Sequence, residues 1–509
     1  MSLQIDTSFE KLLGHLRSVE RIGAAVSLAS WDQETYMPAA GGPMRSEVIG
    51  DLVGILHERE TSEVLGDLIS EAESVVGDEE ESPLFALTRE ARRDFERARR
   101  VPVDLAEEMA RTSSEALQCW KGAREKDDYS SFAPVLTRVI ELKKRIAEAI
   151  AGDDCSAVAY DTLMDEYEPG MTTEVMQGLV DTVRPDLVAL VAEMAPRSAQ
   201  VDARFISAGY PSDLQLAFGK EVVGAMGFDF ERGRLDLTTH PFCSEMGTSS
   251  DVRITTRVDE ADFTSNLFSI IHEAGHGLYE QGLDPQWAGT PLGSSVSLGI
   301  HESQSRLWEN NIARSAPFWK HWLPRMRSLF PVQLDGVEEG QFMRAVNRVI
   351  PSLIRVEADE VTYSLHVMLR FELEQGIFSG EIGVGDLPGL WREKMGEYLG
   401  VVPETDAEGV LQDIHWSMGA FGYFPTYFLG NLYSAQIEVA AREAIPDLDQ
   451  RLGDGEMLTL REWLEEKVHR PGRRWPAQEL CRRVSGDDLD PGVYLGYLRR
   501  KYDSLYPGS

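Results

Sequence analysis

The segment His272-Glu273-Ala274-Gly275-His276 constrains this chain more than any other. Two histidines four residues apart stand one above the other on a single helix face, so both imidazoles can reach one metal ion. The glutamate between them points towards the open coordination side, where it can take a proton from a metal-bound water. The chain has only 10 histidines in 509 residues, and chance would produce the pattern on the order of 0.02 times. Two surface histidines on a solvated helix are therefore the poorer explanation.

The flanking residues agree. Leu267, Ile270, Ile271, Ala274 and Leu278 mark one buried helix face. Thr264 or Ser265 is the expected N-cap and Gly282 the expected stop. Gly275 and Gly277 each cost a helix interior about 1 kcal/mol relative to alanine, so something must approach that helix closely. A catalytic zinc takes three protein ligands and leaves a position for water. Glu302, in Leu298-Gly299-Ile300-His301-Glu302-Ser303-Gln304-Ser305, is the best candidate for the third. It begins a second helical pattern, and the turn containing Pro291 and Gly293 lets the two helices lie side by side. His301 is the rival. The two neighbours project about 100° apart around a helix, so one can face the ion while the other faces elsewhere.

Composition narrows the remaining classes. Fifty basic against 85 acidic side chains give a net charge of −35, which argues against nucleic acid and anionic membrane surfaces as partners. Cys119, Cys155, Cys243 and Cys481 are scattered, show no C-x-x-C spacing and read as buried free thiols in a reducing cytoplasm. The stretch Met1-Ser2-Leu3-Gln4-Ile5-Asp6 lacks the basic-then-apolar pattern of a secretory signal. No apolar run approaches the roughly 20 residues of a membrane helix.

Helical periodicity dominates, over 9–29, 45–57, 83–99, 103–125, 132–151, 173–194, 211–226, 341–375, 431–443 and 458–466. The acidic piece 77–83 is a short loop rather than a linker between domains. One region breaks the pattern. Residues 234–239 and 251–258 alternate, are rich in β-branched side chains and flank a Gly/Ser-containing connection, as in a small antiparallel sheet. An edge strand there, just before the metal helix, could pair with an extended peptide through its backbone.

At this point the motifs carry a resemblance. D-x-R-x-T occurs at Asp251–Thr255, H-E-x-x-H at His272–His276, H-E-S-Q at His301–Gln304, I-R-x-x-A-D at Ile354–Asp359 and G-x-x-Q-D-x-H-W at Gly409–Trp416. In that order they resemble the carboxypeptidase Taq family, the thermostable zinc metallocarboxypeptidases of bacteria and archaea. The resemblance extends to Trp31–Thr35, Tyr160–Met171, His240–Phe242 and the end from Trp463 to Tyr502. It implies a single mainly α domain spanning 1–509, with long helices around a deep substrate groove and the small antiparallel sheet beside the metal helix. It also implies a homodimer, and it favours Glu302 over His301 as the third ligand.

The expected chemistry is peptide hydrolysis at a C-terminus. Zinc on His272, His276 and Glu302, with cobalt as a substitute that accepts the same set, polarises the water and the scissile carbonyl. Glu273 is the general base and then the acid towards the leaving amine. His415 and Tyr423 are expected to donate to the oxyanion, against the alternative of a structural histidine and aromatic packing. Arg355 matches the family's motif arginine, and its guanidinium fork suits a free C-terminal carboxylate. Tyr427 is its expected partner; the alternative is an ion pair between Arg355 and Asp359. Arg253 is a further substrate-binding candidate on the expected edge strand, where pairing with Asp251 competes. A zinc endopeptidase or oligopeptidase shares the metal chemistry without the end-recognition device. A noncatalytic scaffold would not require Glu273.

Overall fold

The computed structural model describes residues 7–77, 80–154 and 156–507. Cys155, the N-terminal stretch Met1–Asp6, and Asp78 and Glu79 of the acidic loop lie outside the described residues. The protein is mainly helical and divides into two compact units, each assembled from three separate stretches of chain. Unit 1 comprises Met1–Arg99, Ala203–Glu339 and Ile437–Asp488; unit 2 comprises Arg100–Asp202, Gly340–Gln436 and Leu489–Ser509.

In unit 1, the helices Thr7–Thr35 and Glu63–Val76 bury Phe9, Leu12 and Ile69 against Leu87, Phe95, Trp287 and Leu292. In unit 2, the helices Val103–Lys126 and Tyr129–Ala151 meet through Leu105, Leu142 and Ile146. No helix among the described residues is long and apolar enough to cross a membrane. Cys119, Cys243 and Cys481 are free, but only Cys481 is fully buried; the first two are half-buried, contrary to expectation.

The sheet differs from its sequence reading. Strands β1 (Gly233–Leu237), β2 (Cys243–Glu245) and β3 (Val252–Thr256) stand in the order β1-β3-β2. β1 pairs parallel with β3, and only β2 runs antiparallel to it, so the sheet is mixed. The chain between β1 and β3 exceeds a hairpin turn and is long enough for the crossover a parallel pair requires. That crossover contributes β2. Consequently β3, which carries Arg253, is the central strand and not an edge.

The helical reading of 341–375 also fails in its middle. Helix Glu339–Val346 stops before Pro351, and helix Tyr363–Ser379 begins anew. Proline lacks the backbone N–H, and the residue before it avoids the helical region. Asp359 stabilises the break by accepting from the backbone N–H groups of Ile350 (2.8 Å), Val361 (2.9 Å) and Thr362 (3.1 Å).

The metal helix runs Phe263–Gly282, ending where expected. Its N-cap is Asp262, whose carboxylate accepts from Thr264 N–H at 2.9 Å, rather than Thr264 or Ser265. All five apolar positions read from the sequence are buried. The two glycines mark close approaches on different sides. A Cβ on Gly275 would lie 2.6 Å from Ser305 Cα, and one on Gly277 would lie 2.8 Å from Phe228 and 3.1 Å from Ile254 of β3.

Candidate metal centre and a buried arginine cluster

Helix Leu298–Arg306, capped by Ser297, crosses the metal helix at Gly275. The crossing brings one ligand atom each from His272, His276 and Glu302 within 4.8 Å of one another. Glu302 Oε2 lies 3.3 Å from His276 Nε2 and 3.6 Å from His272 Nε2. Atoms bound about 2.1 Å from a shared tetrahedral zinc stand about 3.4 Å apart, so the set fits such an ion. His301 is not in the set. Its ring stacks on His276 at 4.3 Å, and its Nε2 lies 2.8 Å from Glu280.

The surrounding charges hold these side chains in place. His272 Nδ1 is 2.9 Å from Glu309 Oε2; with Nδ1 donating, the Nε2 lone pair is left for a metal. Arg306 Nε donates to Glu302 Oε1 at 2.6 Å, and Ser305 Oγ donates to Oε2 at 3.0 Å. Burial alone would raise the Glu302 carboxyl, but Arg306 and the two histidines outweigh it and hold it well below the usual range. At Glu309 the same opposition, between burial and His272, Arg306 and Arg314, ends at about 2. Glu273 is buried beside the histidines, and burial pushes it up to about 7; a bound dication would draw it down again. His276 is pushed down to about 3, chiefly by burial and then by His301, which keeps the ring neutral as a ligand must be.

Sequence reasoning missed Glu309. The signal was present: Glu302, Arg306 and Glu309 fall at i, i+4 and i+7, one face of a helix. The π-helical stretch Leu307–Ile312 continues directly from the ligand helix and carries Glu309.

The close approach at Gly275 makes a counterintuitive prediction. Alanine is the better helix former by about 1 kcal/mol, yet Gly275→Ala should weaken metal binding, because its Cβ would press the Glu302 helix away from the histidines. Metal titration of the folded variant checks this, and parental affinity would contradict it.

Unit 2 gathers Arg355, His415, Tyr423 and Tyr427. Arg355 is buried, and its partner is Asp413 rather than Asp359. Its Nε and Nη2 donate to Asp413 Oδ1 at 3.1 and 2.8 Å, and Nη1 donates to the Tyr363 hydroxyl at 3.1 Å. Asp413 Oδ2 accepts from Arg370 Nε at 2.6 Å. Burial opposes ionisation of Asp413, but the two arginines override it and hold the carboxyl far below its ordinary value. Gln412 joins the two motifs, accepting from Arg355 N–H at 2.9 Å and donating to Leu353 O at 3.0 Å. The Arg355 guanidinium lies 5.0 Å from the Tyr427 ring centre. Tyr427 Oη is 3.4 Å from His415 Nε2, and the Tyr423 ring is 5.3 Å from both His415 and Tyr427. Burial lowers His415 to about 4; Arg355 and Arg370 add to it against the opposing Asp413.

Arg253 lies in unit 1, paired with Asp251 by two contacts of 2.9 Å and stacked 4.4 Å over Trp31. The pair with Asp251 weighed from the sequence is present.

Compared with known proteins, the sequence model of the carboxypeptidase Taq (M32) metallopeptidases matches residues 11–502. The chain belongs to that family. It is thus a metallocarboxypeptidase, a peptide hydrolase. It is 41% identical to thermostable carboxypeptidase 1 of Thermus thermophilus, over 98% of this chain and 99% of the relative. Carboxypeptidase 1 of Bacillus subtilis is 38% identical over 99% of this chain and all of its own. A crystal structure of the M32 carboxypeptidase from Deinococcus radiodurans superposes with a TM-score of 0.93 at 40% identity, covering 99% of this chain and 100% of that one.

Proposed function

We propose that this protein releases single amino acids from the free C-terminus of peptides, with broad specificity. The observation that carries the reading is the His272, His276 and Glu302 trio, with Glu273 between the two histidines on their helix. The trio would hold zinc, or cobalt as a substitute, and that ion would supply activation of a water and polarisation of the scissile carbonyl. Glu273 takes the proton of the attacking water and delivers it to the departing amine. Glu309 keeps the His272 ring oriented through Nδ1.

His415 and Tyr423 donate to the developing oxyanion; an imidazole kept neutral by burial still has one N–H to give. Arg355 grips the terminal carboxylate with Tyr427 beside it. Asp413 and Tyr363 engage three of its five N–H groups and so fix the plane of the fork. Arg253 orders the sheet side of the site through Asp251 and Trp31. The net charge of −35 supports peptides, rather than nucleic acid or membranes, as partners. The reading extends to a cytoplasmic homodimer whose residues 1–509 act as one domain. The free thiols support the compartment, the family resemblance supports the dimer, and the interleaving of the two units supports the single domain.

The test is one peptide with a free or amidated end, digested briefly and read by mass. Single-residue loss from the free acid alone is expected. A charge-assisted, bidentate contact contributes roughly 1.5–3 kcal/mol. Arg355→Ala should therefore raise KM for free-acid peptides about tenfold to a hundredfold, and Arg355→Lys, lacking the fork, should restore only part. Equal cutting of both peptides, or internal cutting, would favour an endopeptidase or oligopeptidase.

A further inference from the structure

Glu374 sits on helix Tyr363–Ser379 with no exposed surface. A carboxylate at such depth must be met by several donors or a cation. Three donors from separate elements converge on it. Oε1 accepts from the Trp416 indole N–H at 2.7 Å; Oε2 accepts from the Tyr160 hydroxyl at 2.8 Å and from the Gly422 N–H at 2.9 Å. Trp416 directly follows His415, and Gly422 directly precedes Tyr423. One side chain therefore grips the span between those two residues at both ends.

The span has little regular structure of its own. It is a 3-10 turn, His415–Met418, followed by Gly419 and Gly422 with φ of 72° and 84°. Gly422 is also pressed against the end of the short helix Ala159–Met164, where a Cβ would lie 2.7 Å from Met164 N. That same helix carries Tyr160. The Trp416 ring is enclosed by Trp391 at 6.0 Å and Phe421 at 6.3 Å.

We propose that Glu374 is a positioning residue, orienting His415 and Tyr423 by holding Trp416 and Gly422. The inference rests on the reading above that these two residues act as donors. The site requires a carboxyl group because the indole and peptide N–H groups can only donate, and both carboxyl oxygens keep a lone pair to accept. In Glu374→Gln, whichever way the amide turns, its –NH2 faces a donor and one end of the span is released. A misplacement of about 1 Å can cost on the order of a hundredfold in rate.

The experiment compares parent, Glu374→Gln, His415→Ala and Tyr423→Phe. It reads kcat, KM, metal content, and hydrogen exchange of residues 415–423 by mass spectrometry. Glu374→Gln should lose kcat by at least about tenfold, with KM and metal content unchanged and faster exchange confined to that segment. Adding Trp416→Phe should restore part of the loss, because the –NH2 then faces a ring with no N–H. Should Glu374→Gln not fold, Trp416→Phe alone, which removes one of the three bonds, is read the same way. Unaltered exchange over 415–423 overturns the inference. So does parental kcat in Glu374→Gln when His415→Ala and Tyr423→Phe both lose turnover. If those two variants keep parental turnover, the donor assignment fails instead, and exchange alone decides whether Glu374 holds the segment.

Discussion

Glu273→Gln is expected to keep its fold and its metal while losing turnover by roughly 10²–10⁴-fold, the usual contribution of a positioned general base, which is the role proposed for Glu273. The amide matches the carboxylate in shape, so packing on the metal helix is undisturbed. Without metal, burial already disfavours the ionised side chain and pushes it up to about 7, so the change in charge should cost the metal-free fold nothing. What the amide cannot do is accept the water's proton. Metal content, thermal unfolding and kcat on one free-acid peptide decide the matter together. Turnover near the parent rate, with metal bound, would assign water activation to another group.

Glu302→Ala and His276→Ala are expected to lose metal stoichiometry along with activity, because each removes one of the three proposed protein ligands. The two should differ in stability. Glu302 also holds Arg306 at 2.6 Å in a buried pair, and stripping one partner from such a pair costs about 3–5 kcal/mol. His276→Ala leaves that pair intact. A metal ion that binds only the folded state stabilises it by mass action, so a chelator should lower the unfolding temperature of the parent and leave both variants unmoved. Full metal occupancy in Glu302→Ala would transfer the ligand role to another residue.

Much of the candidate metal centre was legible because its signals are local. The i, i+4 histidines, the apolar face from Leu267 to Leu278 and the two costly glycines all lie within one helix, and helical spacing alone gives their directions. Glu302 was legible only with its rival His301, since spacing shows that two neighbours diverge but not which one faces the ion. Glu309 follows the same face and could have been read from it. Asp413 as partner of Arg355 could not, because their side chains meet across more than fifty residues of sequence, and a nearer acid, Asp359, competes at the attractive i+4 distance. Asp359 is instead occupied by three backbone N–H groups at the break. The sheet misled for a related reason. Alternation identifies β1 and β3 as strands but carries no information on their direction, and β2 is too short to announce itself.

The braided order of the two units bears on how the protein is made. Unit 1 is not complete until Asp488 has been synthesised, long after its metal-site residues have left the ribosome. The late stretch matters to that site. His469 Nε2 lies 2.9 Å from Gln304, and the His469 ring fills the space against Gly282 at the end of the metal helix. At roughly 5–20 residues per second, an interval of some ten seconds or more separates the emergence of His272 from that of His469. Through that interval the end of the metal helix lacks the ring that packs against Gly282, and a nascent chain with packing left incomplete is open to misassembly until the late stretch arrives.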